Sequence, residues 1–203
     1  MEKNKWAVLL AAVLVSALAV FIAMSVMRGR EQRAMRQSMM NHAYSELTTI
    51  SLDLGGLAGN VRGNITSYET NVQVLIQLSH YFITLDSVLE RYAYYFDSEK
   101  LNYRGSIFDF DYIAYTLTAG TGSANGMSYS GIIADGEISD KEVEYLSALK
   151  SDIDVIIAGM VSADNPPQED SKLTINRVNM LLDAFFEKWN YHNESSPYFL
   201  LVQ

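Results

Sequence analysis

The chain has 203 residues with no Cys, 3 Pro and 12 Gly; 49% of the residues are apolar, 19% are charged, and the formal charge is −9. These figures exclude a disulfide scaffold, a thiolate zinc site and a cysteine nucleophile, and they set the chain apart from disordered sequences, which carry less apolar surface and more charge. The acidic balance argues against a nucleic-acid binder, which needs a basic footprint, and the length suits one domain, or one domain plus an anchor.

A short N-terminal tail (1–5) carries Lys3 and Lys5. The stretch 6–27, from Trp6 to Met27, has no charged side chain. As a helix it covers about 33 Å, enough for a hydrocarbon core of roughly 30 Å. Trp6 stands at one edge, where an indole favours the interface. The segment reads as a transmembrane anchor. Ala17-Leu18-Ala19 and Ala23-Met24-Ser25 fit a cleavage rule, but the run is longer than a signal peptide needs, so a retained anchor is expected. Arg28, Arg30, Arg33 and Arg36 flank its far end and favour a cytoplasmic body under the positive-inside rule. A short Lys-bearing start and a Cys-free body favour the opposite side, and the extracytoplasmic orientation is the expectation. Residues 1–40 hold six basic and two acidic side chains, a net of +4, whereas 41–203 carry a net of −13. The basic stretch suits anionic headgroups and the acidic body is repelled by them. Ala12, Ser16, Ala19 and Ala23 make a small-residue face that permits self-association in the membrane.

Residues 28–203 read as a single helical domain. Met35, Met39, Ala43, Leu47, Ile50, Leu54, Leu57 and Val61 recur at steps of four and three, one face of an amphipathic helix that continues the anchor. A second stripe runs Ile65, Tyr68, Val72, Leu75, Leu78, Phe82, Leu85, Leu89, Tyr92 and Phe96. Between them, residues 55–64 contain four Gly, each unfavourable in a helix by about 0.8–1 kcal/mol. A turn is therefore expected there, closing a long antiparallel hairpin; the rival is a Ser51, Gly55, Gly59, Gly63 face for close helix contact. Residues 97–105 read as a loop. Ser106 and Asp109 form a capping box for a short helix carrying Ile107, Phe110, Ile113 or Ala114, and Leu117, stopped by Gly120.

Residues 119–131 look the most flexible, and Asp135-Gly136 carries a hairpin signal between short apolar arms, so that 119–138 is expected to be a flexible insert. Ser139 and Glu142 form a capping box for a helix with Val143, Leu146, Leu149, Ile153, Ile156 or Ile157, and Met160. Asn165-Pro166-Pro167 breaks the chain before a last helix with Ile175, Val178, Leu182, Phe185 and Trp189. The tail from Ser195 ends apolar and is expected to pack back on the bundle. The fold class is all-α: an N-terminal transmembrane helix continuing into a helical bundle, the long hairpin plus two to three further helices, with a small irregular Gly-rich/hairpin insert. The outline looks loosely like the sensory bundles of bacterial receptors, although such a receptor needs a second span and an output domain.

Candidate sites are sparse. Asp135, Gly136, Ile138 and Glu142 match four positions of a calcium loop, but Gly131 and Ile133 fall where two ligand oxygens belong. His42, Glu46 and His80 come level if the hairpin turns near Val61; His80 lies off its helix seam, His192 stands apart, and there is no Glu-x-x-His pair, so no metal is expected. Gly120, Gly122 and Gly126 lack phosphate-loop spacing and a Walker Lys. Tyr92, Tyr94, Tyr95, Phe96, Tyr103, Phe108, Phe110, Tyr112 and Tyr115 crowd one region and read mainly as core, with a ligand groove as the alternative. Asp109 and Asp111, like Asp152 and Asp154, point to different faces of a helix and make no acid/base pair. Asn64-Ile65-Thr66 and Asn193-Glu194-Ser195 are glycosylation sequons. No catalytic, cofactor-binding or metal residue is assigned, and an enzyme is not expected. The expected function is that of a single-pass membrane-anchored helical protein acting through protein–protein contacts as a scaffold, assembly factor or receptor accessory. The partners expected are membrane lipid through 6–27 and a protein, with room for a homo-oligomer and no nucleic acid. The alternatives are an extracytoplasmic small-ligand or glycan module and, last, an enzyme of unrecognised type.

Overall fold

Helix α1 (Glu2–Arg62) begins a computed structural model that describes residues 2–95, 110–118, 121–124, 126–134, 136–161, 173–190 and 192–202. It is followed by α2 (Tyr68–Tyr95), α3 (Phe110–Thr118), strands β1 (Thr121–Ala124) and β2 (Met127–Ser130), α4 (Asp140–Met160), α5 (Ile175–Lys188) and a 3-10 turn at Pro197–Leu200. The described chain is mostly helical, consistent with the all-α expectation. It divides into two compact units, Met1–Met40 and Asn41–Gln203.

In the first unit every residue from Val13 to Arg28 is exposed, including Phe21 at 69% and Met24 at 60%. Met35, expected on a buried stripe, is also exposed. Two helices are long and apolar enough to cross a membrane, one near the N-terminus and the other α2. They differ in what their apolar side chains meet. In α2, Leu75, Leu78, Phe82 and Leu85 are fully buried in the second unit, so that stripe already has a protein partner.

The second unit is built on the expected stripes. Ala43, Leu47, Ile50, Leu54 and Leu57 are buried on α1, as are Leu75, Leu78, Phe82, Leu85 and Leu89 on α2. Ile65 is not part of the second stripe; it precedes α2 and is 72% exposed.

The Gly-rich stretch 55–64 does not turn where the composition pointed, because α1 stays helical through Gly55, Gly56 and Gly59 to Arg62. Each helical Gly costs about 0.8–1 kcal/mol, but burying a Leu contributes roughly 1.5–3 kcal/mol, and both Leu54 and Leu57 are buried here. The rival face is realised in its first half, where Ser51 bonds Asp154 of α4 and Gly55 meets Lys150. A Cβ on Gly55 would lie 2.9 Å from Lys150 Cε, so its bare backbone admits the stem of an α4 side chain, whereas Gly59 faces open space.

The chain turns at 63–67. Ile65 N–H donates to Asn60 O (2.9 Å) and Asn64 N–H to Val61 O (3.1 Å), with Asn64 at φ 47°. This is a Schellman cap with Asn in the left-handed position that Gly usually fills. Ser67 then opens α2 by accepting from Thr70 N–H.

Helix α3 buries Phe110, Ile113, Ala114, Thr116 and Leu117 and packs on α2, with Phe82 and Phe110 stacked at 5.8 Å. The expected loop at 97–105 and the capping box at Ser106 and Asp109 lie outside the described residues, as do the stop at Gly120 and the break at 165–167.

The hairpin is not at Asp135-Gly136. Strands β1 and β2 pair antiparallel with Ala124 opposite Met127, and Gly126, just before β2, has φ 77°. Asn125-Gly126 is the dipeptide that supports a two-residue primed turn, and it lies inside the stretch expected to be flexible. Gly136 does take a positive φ of 88°, but the residues around it form turns without strands.

The Ser139/Glu142 capping box is present on α4, whose buried face is Val143, Leu146, Leu149, Ile153, Ile156 and Met160. On α5, capped by Thr174, residues Ile175, Val178, Leu182 and Phe185 are buried, and Trp189 follows at the C-cap. The tail packs back: Tyr198 is 1% exposed, Leu201 is buried, and Val202 bridges Tyr129.

The cap at Asn64 gives a direct test. Asn64→Gly should leave stability within about 0.5 kcal/mol or raise it, whereas Asn64→Val should cost about 1–2 kcal/mol, the penalty of a left-handed β-branched residue. Urea unfolding in detergent, followed by circular dichroism, separates the two; equal midpoints would mean that the cap is not the stop.

Candidate functional site

Two regions of the second unit concentrate polar chemistry. The first is a cleft of about 520 Å³ between the second half of α1 and the end of α4, lined by Tyr44, Thr48, Ser51, Leu52, Asp154, Ile157, Ala158 and Val161. Leu52 is 69% exposed at its edge, so the cleft faces solvent. Asp154 is its one ionised wall. Ser51 Oγ donates to Asp154 Oδ1, and Lys150 Nζ bonds Asp154 Oδ2 from one turn earlier on α4. Desolvation works to raise the Asp154 carboxyl, but the hydrogen bonds from Lys150 and Ser51 and the Lys150 charge outweigh it and hold the group below its ordinary value.

The second region lies under the hairpin. Tyr129 Oη bonds Thr116 Oγ1 (3.1 Å) and Tyr112 Oη (3.0 Å). Gly122, opposite Tyr129, has no room for a Cβ, which would lie 2.4 Å from the Tyr129 Cζ. Tyr198 packs against Tyr129, Tyr112, Tyr145 and Trp189. Burial pushes the Tyr129, Tyr145 and Tyr198 phenols well above their ordinary value, so they stay protonated and serve neither as bases nor as phenolate nucleophiles. Of the aromatic crowd noted in the sequence, Phe110 is in the core, Tyr112 is half-buried and Tyr115 is 50% exposed. The side chains of Tyr92, Tyr94, Tyr95, Phe96, Tyr103 and Phe108 lie outside the described residues.

The other candidates do not converge. Glu142 is buried, and its Oε2 accepts from Ser139 N–H (2.6 Å) and Oγ (2.8 Å), so the residue at calcium-loop position 12 is committed to a helix cap. Asp135 lies outside the described residues. His42 Nε2 is 3.4 Å from Glu46 Oε1, while His80 and His192 are exposed. Among the described residues no three of His, Asp and Glu come together to hold a metal ion.

Asp152 and Asp154 do diverge. Asp152 takes Lys188 Nζ (2.7 Å) and the Trp189 indole N–H (2.9 Å) from the α5 side, while Asp154 faces Ser51 on α1. Asn64 and Asn193 are both exposed, and Asn193 Oδ1 accepts from Ser195 N–H (3.1 Å) and Oγ (2.8 Å). Sequence reasoning missed the cleft. Ser51 and Asp154 are 103 residues apart, and no local motif joins them. Chemically the cleft offers apolar surface with one carboxylate neutralised by Lys150, which suits holding a ligand or segment; the Ser51 hydroxyl meets that carboxylate, whose lowered value makes it a weaker base than an ordinary Asp.

The lowered Asp154 group fixes a pH dependence. Its contribution to stability is complete well above the ordinary carboxyl value of 3.8 and is lost as pH falls through the lowered folded-state value. Asp154→Asn should therefore destabilise at neutral pH, by no more than about 1 kcal/mol for so exposed a pair, and by less at an acid pH below 3.8. Denaturant midpoints at the two pH values check this; a constant difference would sink the ionic account.

No protein-family model matches the chain, no curated protein matches it, and no solved structure matches it.

Proposed function

We propose that the chain is a single-pass membrane-anchored helical protein that acts through protein–protein contacts, as a scaffold, assembly factor or receptor accessory. The observation that carries this reading is the contrast between two apolar surfaces. From Val13 to Met27 the side chains of α1 are exposed, whereas the stripes of the second unit are buried. A continuous apolar helical surface of that length is costly in water and stable in hydrocarbon. We read 6–27 as the anchor, held in the membrane rather than cleaved, and 28–203 as the domain it carries, on the extracytoplasmic side. Contact with a partner protein, rather than catalysis, fits a second unit in which Glu142 serves a helix cap and Asp152 and Asp154 tether one element to another.

Topology is the test. A C-terminal fusion to a phosphatase that is active only outside the cytoplasm should be active, and the protein should resist alkaline extraction from membranes. An inactive phosphatase with an active cytoplasmic reporter would overturn the orientation. Release by alkali would overturn the anchor itself.

The cleft favours a second reading, an extracytoplasmic module for a small ligand or glycan. Its volume of about 520 Å³ falls in the range of ligand pockets, roughly 300–1,000 Å³. A ligand at 100 times its Kd should stabilise the fold by about 2.7 kcal/mol. A thermal-shift screen of sugars and apolar metabolites in detergent should then give hits that Leu52→Glu abolishes; hits that survive this substitution would place binding elsewhere.

A further inference from the structure

Resting on the reading of 6–27 as a membrane span, and on neither orientation of it, we infer that Arg28, Arg30 and Arg33 form a collar that binds the phosphate headgroups of anionic lipids. The residues follow the apolar run directly on α1. At about 1.5 Å per residue their Cα atoms lie roughly 1.5, 4.5 and 9 Å beyond Met27. The headgroup layer on each side of a bilayer is about 5–7 Å thick, the difference between the full and hydrocarbon thicknesses shared by two leaflets. Side chains on a helix lean toward its N-terminus, which here is toward the membrane, so Arg33 also reaches back into that layer.

The arrangement around the helix favours lipid over a one-sided macromolecular partner. At about 100° per residue, Arg30 and Arg33 stand roughly 200° and 140° from Arg28, so cations lie on opposite sides of the helix. Headgroups surround a spanning helix; a docked protein or nucleic acid approaches from one side. All three side chains are exposed, and none makes a hydrogen bond or ion pair with another described residue. Glu31 is the one carboxylate in the stretch from 28 to 36, so the charge stays positive. The chemistry also fits. A guanidinium offers a planar fork of donors that matches two phosphate oxygens, and near an anionic surface each such residue contributes a measurable preference.

The test uses the full chain in vesicles, with Trp6→Phe and Met27→Trp so that an indole reports at the collar. Quenching by brominated phosphatidylglycerol is compared with quenching by brominated phosphatidylcholine at equal mole fraction. The expected result is stronger quenching by the anionic lipid. That preference should fall by about fivefold for each Arg→Gln replacement, fall less for Arg→Lys, which keeps the charge but loses the fork, and weaken with salt. Equal quenching by the two lipids would overturn the collar while leaving the anchor standing, because the indole would still be in lipid. No quenching by either would overturn the anchor reading and the collar with it. Inorganic phosphate is added against chloride of matched ionic strength. If it alone removed the preference, the site would be one for free phosphate, and the lipid assignment would be wrong.

Discussion

Three rings from three parts of the chain meet in the second unit, and the packing of its later half depends on them. Tyr145 of α4, Trp189 at the end of α5 and Tyr198 of the 3-10 turn lie with centroids 5.3, 5.6 and 5.8 Å apart. Each is at most 1% exposed. Tyr198 extends the junction to Tyr112 of α3 and Tyr129 of β2. Rings of this size bury a large area each and prefer edge-to-face or offset contacts, so the junction fixes angle as well as distance. Asp152 adds direction: its carboxylate accepts the Trp189 indole N–H and also holds Lys188, leaving the indole one orientation. The tail is therefore a structural member, tied to the hairpin through the Tyr129–Val202 bridge.

The same apolar chemistry has two outcomes along α1. Leu47, Ile50 and Leu54 find protein partners, and the helix there tolerates Gly55, Gly56 and Gly59 because burial on one face exceeds their propensity cost. Val13 to Met27 are exposed. Length and uniformity separate the cases. A stripe on one face asks for a bundle, whereas a helix apolar all round asks for a solvent that is itself apolar.

What could be read from the sequence follows range. The core faces of α4 and α5 were legible residue by residue, because helical periodicity and the Ser139 capping box are local. The turn was misplaced by a few residues because Gly count outweighed position. Gly63-Asn64 carries the stop, and Asn64 needs the left-handed conformation, while Gly55 serves an approach from Lys150 that no local pattern announces. The hairpin has a weak local signal: Asn125-Gly126 sits in a polar stretch, whereas apolar arms flank Asp135-Gly136, which joins no pair of strands among the described residues. The cleft was not legible at all, since its walls come from segments a hundred residues apart and its polar contact is a tertiary one.

That separation has a consequence in time. At roughly 5–20 residues per second, synthesis reaches Asp154 about 5–20 s after Ser51 has been made, a separation of 103 residues. During those seconds α1 lacks the contacts that α4 supplies. Arg62 likewise waits for Ser147, and Tyr68 for the Ile133 carbonyl. Helices can form within microseconds, so the delay is set by the ribosome and not by the chain. The side of α1 that faces α4 therefore stays open until α4 arrives.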